Sequence, residues 1–230
     1  MRGSAGIILQ ARMASQRLPG KSFEFLHGRS ILEHCLRRLV ASKAAPVFLA
    51  TTVRPEDDVL QTAAERVGVE VYRGDAANVL ERYVRCAEHF GIDLVVRATA
   101  DNPGVDIQAS GRVLAAMRQF GAQYVHETGL PYGAAVEGVT RDALLEAAIL
   151  ATDDYDREHV TTFIRRRTDL FRGVQLSAPP ALARPDVRLT VDTMDDLRRM
   201  REIYFGAGSE MPSLAELIVA ADRTAEPSVV

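Results

Sequence analysis

Residues 10 to 21 read QARMASQRLPGK, which sets Arg12, Arg17 and Lys21 among the small or turn-forming residues Ser15, Pro19 and Gly20. The stretch follows directly on the apolar Gly6-Ile7-Ile8-Leu9. Three long cations on a loop after a strand are suited to an anion. Arginine offers forked hydrogen bonds and lysine a point charge, so together they can wrap a triphosphate, with Ser15 adding a hydroxyl. A solvated turn whose cations pair with surface carboxylates uses the same residues, and the loop alone leaves both readings open.

A Walker A loop is excluded. Ser15 stands where the first Gly of G-x-x-x-x-G-K-[ST] belongs, and Pro19 removes a backbone donor from the segment that should cradle phosphate. After Lys21, SFEFLHGRS alternates like a short strand and opens no helix. A second crowded run, DDYDREHV, invites a metal reading through Asp153, Asp154, Asp156, Glu158 and His159. Asp153 and Asp154 read better as an N-cap and first-turn acids, and Arg157 and Glu158 as solvated side chains.

These groups need a scaffold to bring them together. Strand-like runs GIILQA, PVFLATT, VEVYRG and DLVVRAT alternate with helical patterns at residues 30 to 43, 56 to 67 and 76 to 90. This alternation predicts βαβ units and a three-layer α/β/α, Rossmann-like fold around a mixed, mostly parallel sheet covered on both faces. Ligands of such sheets sit beyond the carboxyl ends of the strands. There the first strand meets the basic loop, DLVVRAT meets Ala100-Asp101-Asn102-Pro103, and a late strand VRLTV meets Asp192-Thr193. The less regular YVHETGLPYGAAVEGV predicts a sheet extension or flap. Helices are expected from Thr140 to about Ala151 and from Asp153 to Arg167, and one capped by Ser213 in the tail. The expected organisation is one domain over residues 1–230, with a flap or dimerisation extension around 124–180 and a helical tail over 207–230.

Composition narrows the class. The chain has 230 residues, 47% hydrophobic and 26% charged, with a net charge of -3. That suits a soluble domain with a good core, and its positive charge is local, unlike the broad basic face of a nucleic-acid binder. The opening MRGSAGIILQAR holds too short an apolar run for a signal peptide, so a cytoplasmic protein with no membrane partner is expected. Cys35 and Cys86, both in helix-like segments, read as buried free thiols.

QARMASQRLPGKSFEFLHGRSILEH resembles the opening of cytidylyltransferases of the spore-coat polysaccharide protein F type, relatives of CMP-KDO and CMP-sialic acid synthetases. VYRGDAANVLERY, VVRATADNPGVD, ATDDYDREHVTTFI and RLTVDTMDDLRRMREIY resemble later blocks in the same order. The resemblance implies a nucleotide-diphosphosugar-transferase-like fold. It also implies transfer of CMP from CTP to a small acidic acceptor with release of pyrophosphate, a need for Mg²⁺, and a homodimer. It places Arg12, Ser15, Arg17 and Lys21 on the triphosphate, with the three cations as catalytic groups. Asp101 and Asp192 fall on the metal, and Arg73, Asn78, Val79 and Arg82 around the cytidine. The nucleotide-binding set also takes in Gln10, Ala11 and Thr99 at strand ends, and Asn102, Glu137 and His159 form the acceptor side.

The chemistry is consistent with that set. Nucleotidyl transfer rests on positioning and charge neutralisation, and Mg²⁺ takes one or two carboxylates plus phosphate oxygens and water. Each Asp alone reads equally as a cap or turn residue. His159 is open between an acceptor or dimer contact and a structural role. The chain departs from the family at Gly133-Ala134-Ala135-Val136-Glu137, where Ala135 replaces a usual Asp, and at Asn102 and Gly104. These departures bear on the acceptor. Another sugar nucleotidyltransferase, a glycosyltransferase on the same fold, or a nucleotide-binding homologue without turnover are the competing readings. The glycosyltransferase branch wants Asp-x-Asp after a strand, which these strand ends lack.

Overall fold

The apolar runs become strands of one sheet because helices cover both its faces. The protein is described by a computed structural model over residues 3–15 and 17–225. In chain order the elements are β1 (Ala5–Gln10), β2 (Phe25–Leu26), β3 (Arg29–Ser30), α1 (Ile31–Ala41), β4 (Val47–Thr52), α2 (Asp58–Arg66), β5 (Glu70–Gly74) and α3 (Val79–His89). There follow β6 (Leu94–Thr99), α4 (Ala109–Phe120), β7 (Tyr124–Thr128), β8 (Glu137–Thr140), α5 (Arg141–Leu150), α6 (Asp154–His159) and α7 (Thr162–Arg166). The chain then forms β9 (Gly173–Ser177), α8 (Met194–Ala207) and α9 (Leu214–Ala225).

Seven strands form a sheet in the order β5-β4-β1-β6-β8-β7-β9, while β2 and β3 make a small hairpin. Only β8 is reversed, antiparallel to both β6 and β7; the other neighbours pair in parallel. The sheet is therefore mixed and mostly parallel, as expected. Residues alternate between its faces. Ile7, Leu9 and Val96 pack with Leu32, Leu36, Val113, Met117 and Leu197 on one side. Ile8 and Val95 pack with Leu80, Tyr83, Val84, Leu144 and Ile164 on the other. Helix starts follow capping chemistry: Ser30 and Thr193 each complete a capping box, and Asn78 and Thr140 accept from the backbone three residues on.

The expected extension around 124–180 supplies β7, β8 and β9 to the same central sheet. Three local expectations are corrected. The helix expected from Asp153 to Arg167 is two helices, broken at Val160, whose φ of 59 and ψ of -59 are rare for a β-branched residue. Thr161 N donates to the His159 carbonyl at 2.6 Å, closing a γ-turn. Val160, Phe163 and Ile164 are all buried in one cluster, and that packing holds the break. VRLTV is not a strand of the sheet; it makes one isolated bridge, between Arg188 and Tyr132, and is otherwise held by separate hydrogen bonds such as Val191 N to the Asp101 carbonyl. Finally, α4 and β9 form where no element was expected.

Candidate active site

A cavity of about 300 Å³ lies at the carboxyl ends of β1 and β6. The chain leaves β1 for β4 on one side and later returns to β6 on the other, which makes this the topological switch point. The register pairs Gln10 with Thr99, so both strands end level at the cavity, and both residues line it.

The basic loop is fixed by its own backbone. Ser15 N and Gly20 N both donate to the Met13 carbonyl, at 2.8 and 3.1 Å, and Met13 N is held by Asp57 Oδ1 at 2.7 Å. Gly20 supplies the left-handed turn, φ 72, that aims Lys21 inward. Arg12, Ser15, Arg17 and Lys21 all line the cavity, together with Ala11.

The two aspartates, far apart in sequence, meet there. Val191 N donates to the Asp101 carbonyl at 2.8 Å, and the Thr190 hydroxyl does so at 3.1 Å, stitching the two segments side by side. Lys21 Nζ then lies 3.2 Å from Asp101 Oδ2 and 3.0 Å from Asp192 Oδ1, and also donates to the Val191 carbonyl at 2.8 Å. Arg17 Nη2 approaches Asp192 Oδ1 at 2.9 Å. Capping of α8 falls to Thr193 and Asp196, which leaves the Asp192 carboxylate for the cavity. Partial burial opposes its charge, but Lys21, Arg17 and Arg188 outweigh that and hold Asp192 below the usual carboxylate range.

The end of α6 adds Glu158 and His159 to the lining. Glu158, expected to be solvated, accepts from Arg12 Nη2 at 2.6 Å. Asp153 is the α6 N-cap as expected, and Asp156 is buried on the Thr162 hydroxyl and the Arg166 guanidinium.

The four residues expected around the cytidine do not line this cavity. Arg73 donates to the Thr52 and Arg54 carbonyls at 2.9 and 2.8 Å and to Asp58. Asn78 caps α3, and Val79 is buried in the core. Arg82 is buried on the Asp75 carbonyl, and burial lowers its basicity. Asn102 and Glu137 also stand back from the cavity. Asn102 Nδ2 donates to Thr99 Oγ1 at 2.9 Å. Glu137 accepts from Arg97 Nη1 at 2.7 Å, from the Thr161 hydroxyl at 2.8 Å and from the Tyr124 hydroxyl. Burial works against its charge, yet Arg97 and the two hydroxyls hold it below the usual range.

Two charged cavity residues were missed from the sequence, Arg97 and Glu158. Arg97 is the one charge inside the strand LVVRAT, a signal that a strand interior is in contact with something polar. Glu158 carried no such mark on an acidic, helical surface.

Asp101 and Asp192 suit Mg²⁺ in type and number. Among the described residues no group of three or more His, Cys, Asp or Glu is gathered as a metal cage. Two carboxylates beside an anion loop match the way Mg²⁺ is shared between a protein and phosphate oxygens.

Comparison with known proteins agrees with this geometry. A family model described as cytidylyltransferase matches residues 6–210. Spore coat polysaccharide biosynthesis protein SpsF of Bacillus subtilis is 34% identical over 224 residues, 94% of this chain and 93% of that protein. A 3-deoxy-manno-octulosonate cytidylyltransferase of Aeromonas salmonicida is 32% identical over 102 residues, 42% of this chain and 39% of that protein. A solved cytidylyltransferase structure from Leptospira borgpetersenii superposes with a TM-score of 0.89 at 28% identity, covering 97% of this chain and 95% of that one. With the match running from the first strand through the basic loop and past both cavity aspartates, this chain belongs to the cytidylyltransferase family.

Proposed function

We propose that this protein transfers CMP from CTP to a small acidic acceptor, with release of pyrophosphate. The observation that carries the reading is the meeting of Arg17 and Lys21 with Asp101 and Asp192 in one cavity. Arg12, Arg17 and Lys21, which line the cavity, would take up triphosphate charge, and Ser15 would add a hydroxyl donor beside them. Asp101 and Asp192 would hold Mg²⁺, which when bound neutralises phosphate charge and orients the leaving group. As the acceptor oxygen bonds to the α-phosphorus, the bond to pyrophosphate breaks, and no covalent enzyme nucleophile is needed. His159, at the end of α6, faces the same space and is assigned to the acceptor side.

The test is pyrophosphate release from CTP and Mg²⁺ with a panel of sugar acids and related carboxylates, with UTP and GTP in parallel. CTP-dependent release is expected, and Arg17→Ala and Asp192→Ala should each lower it by roughly two orders of magnitude or more. Thermal stabilisation by UTP or GTP and not by CTP would assign a different nucleotidyltransferase.

A further inference from the structure

Arg97 lies on β6 two residues before Thr99, so the two side chains share one face of the sheet, and both line the cavity. The guanidinium carries five donors in a rigid plane. Nη1 meets Glu137, and Nε is buried without a partner among the described residues; no hydrogen bond is made by Nη2 either. The edge left over is the one formed by Nε and Nη2, whose two parallel N–H groups match the two oxygens of a carboxylate. Neighbouring groups complete the chemistry. Gln10 Oε1 is also buried without a partner and can accept from a hydroxyl. Thr99 Oγ1 already accepts from Asn102, which turns its own hydrogen toward another acceptor.

We propose that Arg97 binds the carboxylate of the acceptor through its Nε–Nη2 edge, with Thr99 and Gln10 holding adjacent oxygens of the same molecule. This rests on the nucleotidyl-transfer reading and adds to it the residue that selects the acid. The other cations of the cavity already have anionic partners: Arg12 holds Glu158, and Arg17 and Lys21 hold Asp192. These are the groups suited to trade partners for phosphate. Arg97 differs because its counter-ion lies behind it, fixed by Tyr124 and Thr161, so Glu137 need not leave when a ligand arrives. A guanidinium already balanced by one carboxylate suits a monoanion better than a dianion.

Binding to the protein loaded with α,β-methylene-CTP, which cannot transfer CMP, tests this by calorimetry. The probes are 3-deoxy-manno-octulosonate and N-acetylneuraminate, each with its carboxamide as neutral control. Arg97→Lys keeps the charge above Glu137 but loses the edge. It should weaken binding of the acid about tenfold or more, leave the carboxamide unaffected and keep nucleotide affinity within about twofold. The double variant Arg97→Gln/Glu137→Gln, which removes the ion pair as a unit, should show the same selective loss if Arg97→Lys folds poorly. Equal binding of the acid by variant and wild type, or no binding of either acid by the wild type, overturns the proposal. The titrations are repeated without nucleotide. Failure of the wild type to bind nucleotide would then count against the transferase reading, while the dependence of acid binding on Arg97 still decides this one.

Discussion

Arg12 and Glu158, 146 positions apart, form an ion pair of 2.6 Å inside the cavity that both line. Both side chains are substantially exposed, so the pair adds little to stability. Its consequence lies in binding, because Glu158 occupies the cation that phosphate would use. Glu158→Gln is therefore expected to tighten CTP binding about twofold to fivefold, the range of an exposed ion pair, with an unchanged melting temperature. Calorimetric titration of CTP decides it, and weaker binding in the variant would show that Glu158 supports the nucleotide.

Lys21 bridges Asp101 and Asp192, and its ammonium sits where a divalent cation would compete for the same oxygens. Lys21→Ala should lower turnover by about two orders of magnitude, because a phosphate-binding cation is lost. The two carboxylates are then left facing each other with less compensating charge. Binding of Mn²⁺ to the nucleotide-free protein should become tighter in the variant, as followed by the electron paramagnetic resonance signal of free Mn²⁺. Unchanged Mn²⁺ binding would separate the aspartates from any metal role.

The sheet and its ligand-facing edge were legible in the sequence because buried parallel strands are written as apolar runs that end in polar residues, as at Gln10 and Thr99. The convergence of Lys21, Asp101 and Asp192 was legible through the same rule, since each follows a segment ending on one edge. Other features depend on tertiary contacts that leave no local mark. Val160 looks like any helical valine, and only its burial with Phe163 and Ile164 forces the γ-turn that presents His159. Arg73 and Arg82 are set around the cytidine by the family resemblance alone, and nothing local in the sequence shows that backbone carbonyls of Thr52, Arg54 and Asp75 take hydrogen bonds from them. Arg188 escaped notice for the opposite reason, because its partners Asp192 and Asp196 organise the entry to α8 from an irregular segment.

Glu137 makes stability depend on pH in a predictable direction. Its carboxyl is held below the ordinary range in the folded protein, with burial overcome by Arg97, Tyr124 and Thr161. A group depressed in this way stabilises above its unfolded pKa, about 4.3, and that contribution is lost as pH falls through the lower folded value. Glu137→Gln leaves Arg97 without its anion and should cost about 3 kcal/mol at pH 7. In urea unfolding the gap between wild type and variant should be full at pH 7 and shrink below about pH 4. A gap that does not change with pH would mean that shape, and not charge, holds this pair.

The two cysteines should be silent toward thiol reagents. Cys35 and Cys86 are both free and buried. Burial pushes the Cys86 thiol up to about 12 and raises Cys35 further above its ordinary value. At neutral pH the reactive thiolate is then a negligible fraction at both sites. Native protein should show no fast reaction with a disulfide reagent at pH 8, and both thiols should react once the chain is unfolded in guanidinium. Rapid labelling of one native thiol would require α1 or α3 to open locally.

Gly138 sets how closely α4 can approach β8. A Cβ at this position would fall 2.5 Å from Val113 Cγ1 and 2.7 Å from Met117 Sδ, both on α4. Gly138→Ala should therefore cost about 1–3 kcal/mol, the range for overpacking. The neighbouring Glu137 points to the opposite face of the strand, so nucleotide and acid binding should persist in the folded variant. Val113→Ala opens room at the clash, and its own penalty should be smaller in the Gly138→Ala background than in the wild type. A double-mutant cycle by urea unfolding reads this coupling directly. Additive losses would mean that α4 shifts as a unit to admit the new methyl group, and loss of binding in the folded Gly138→Ala protein would show that this packing also sets the position of Arg97.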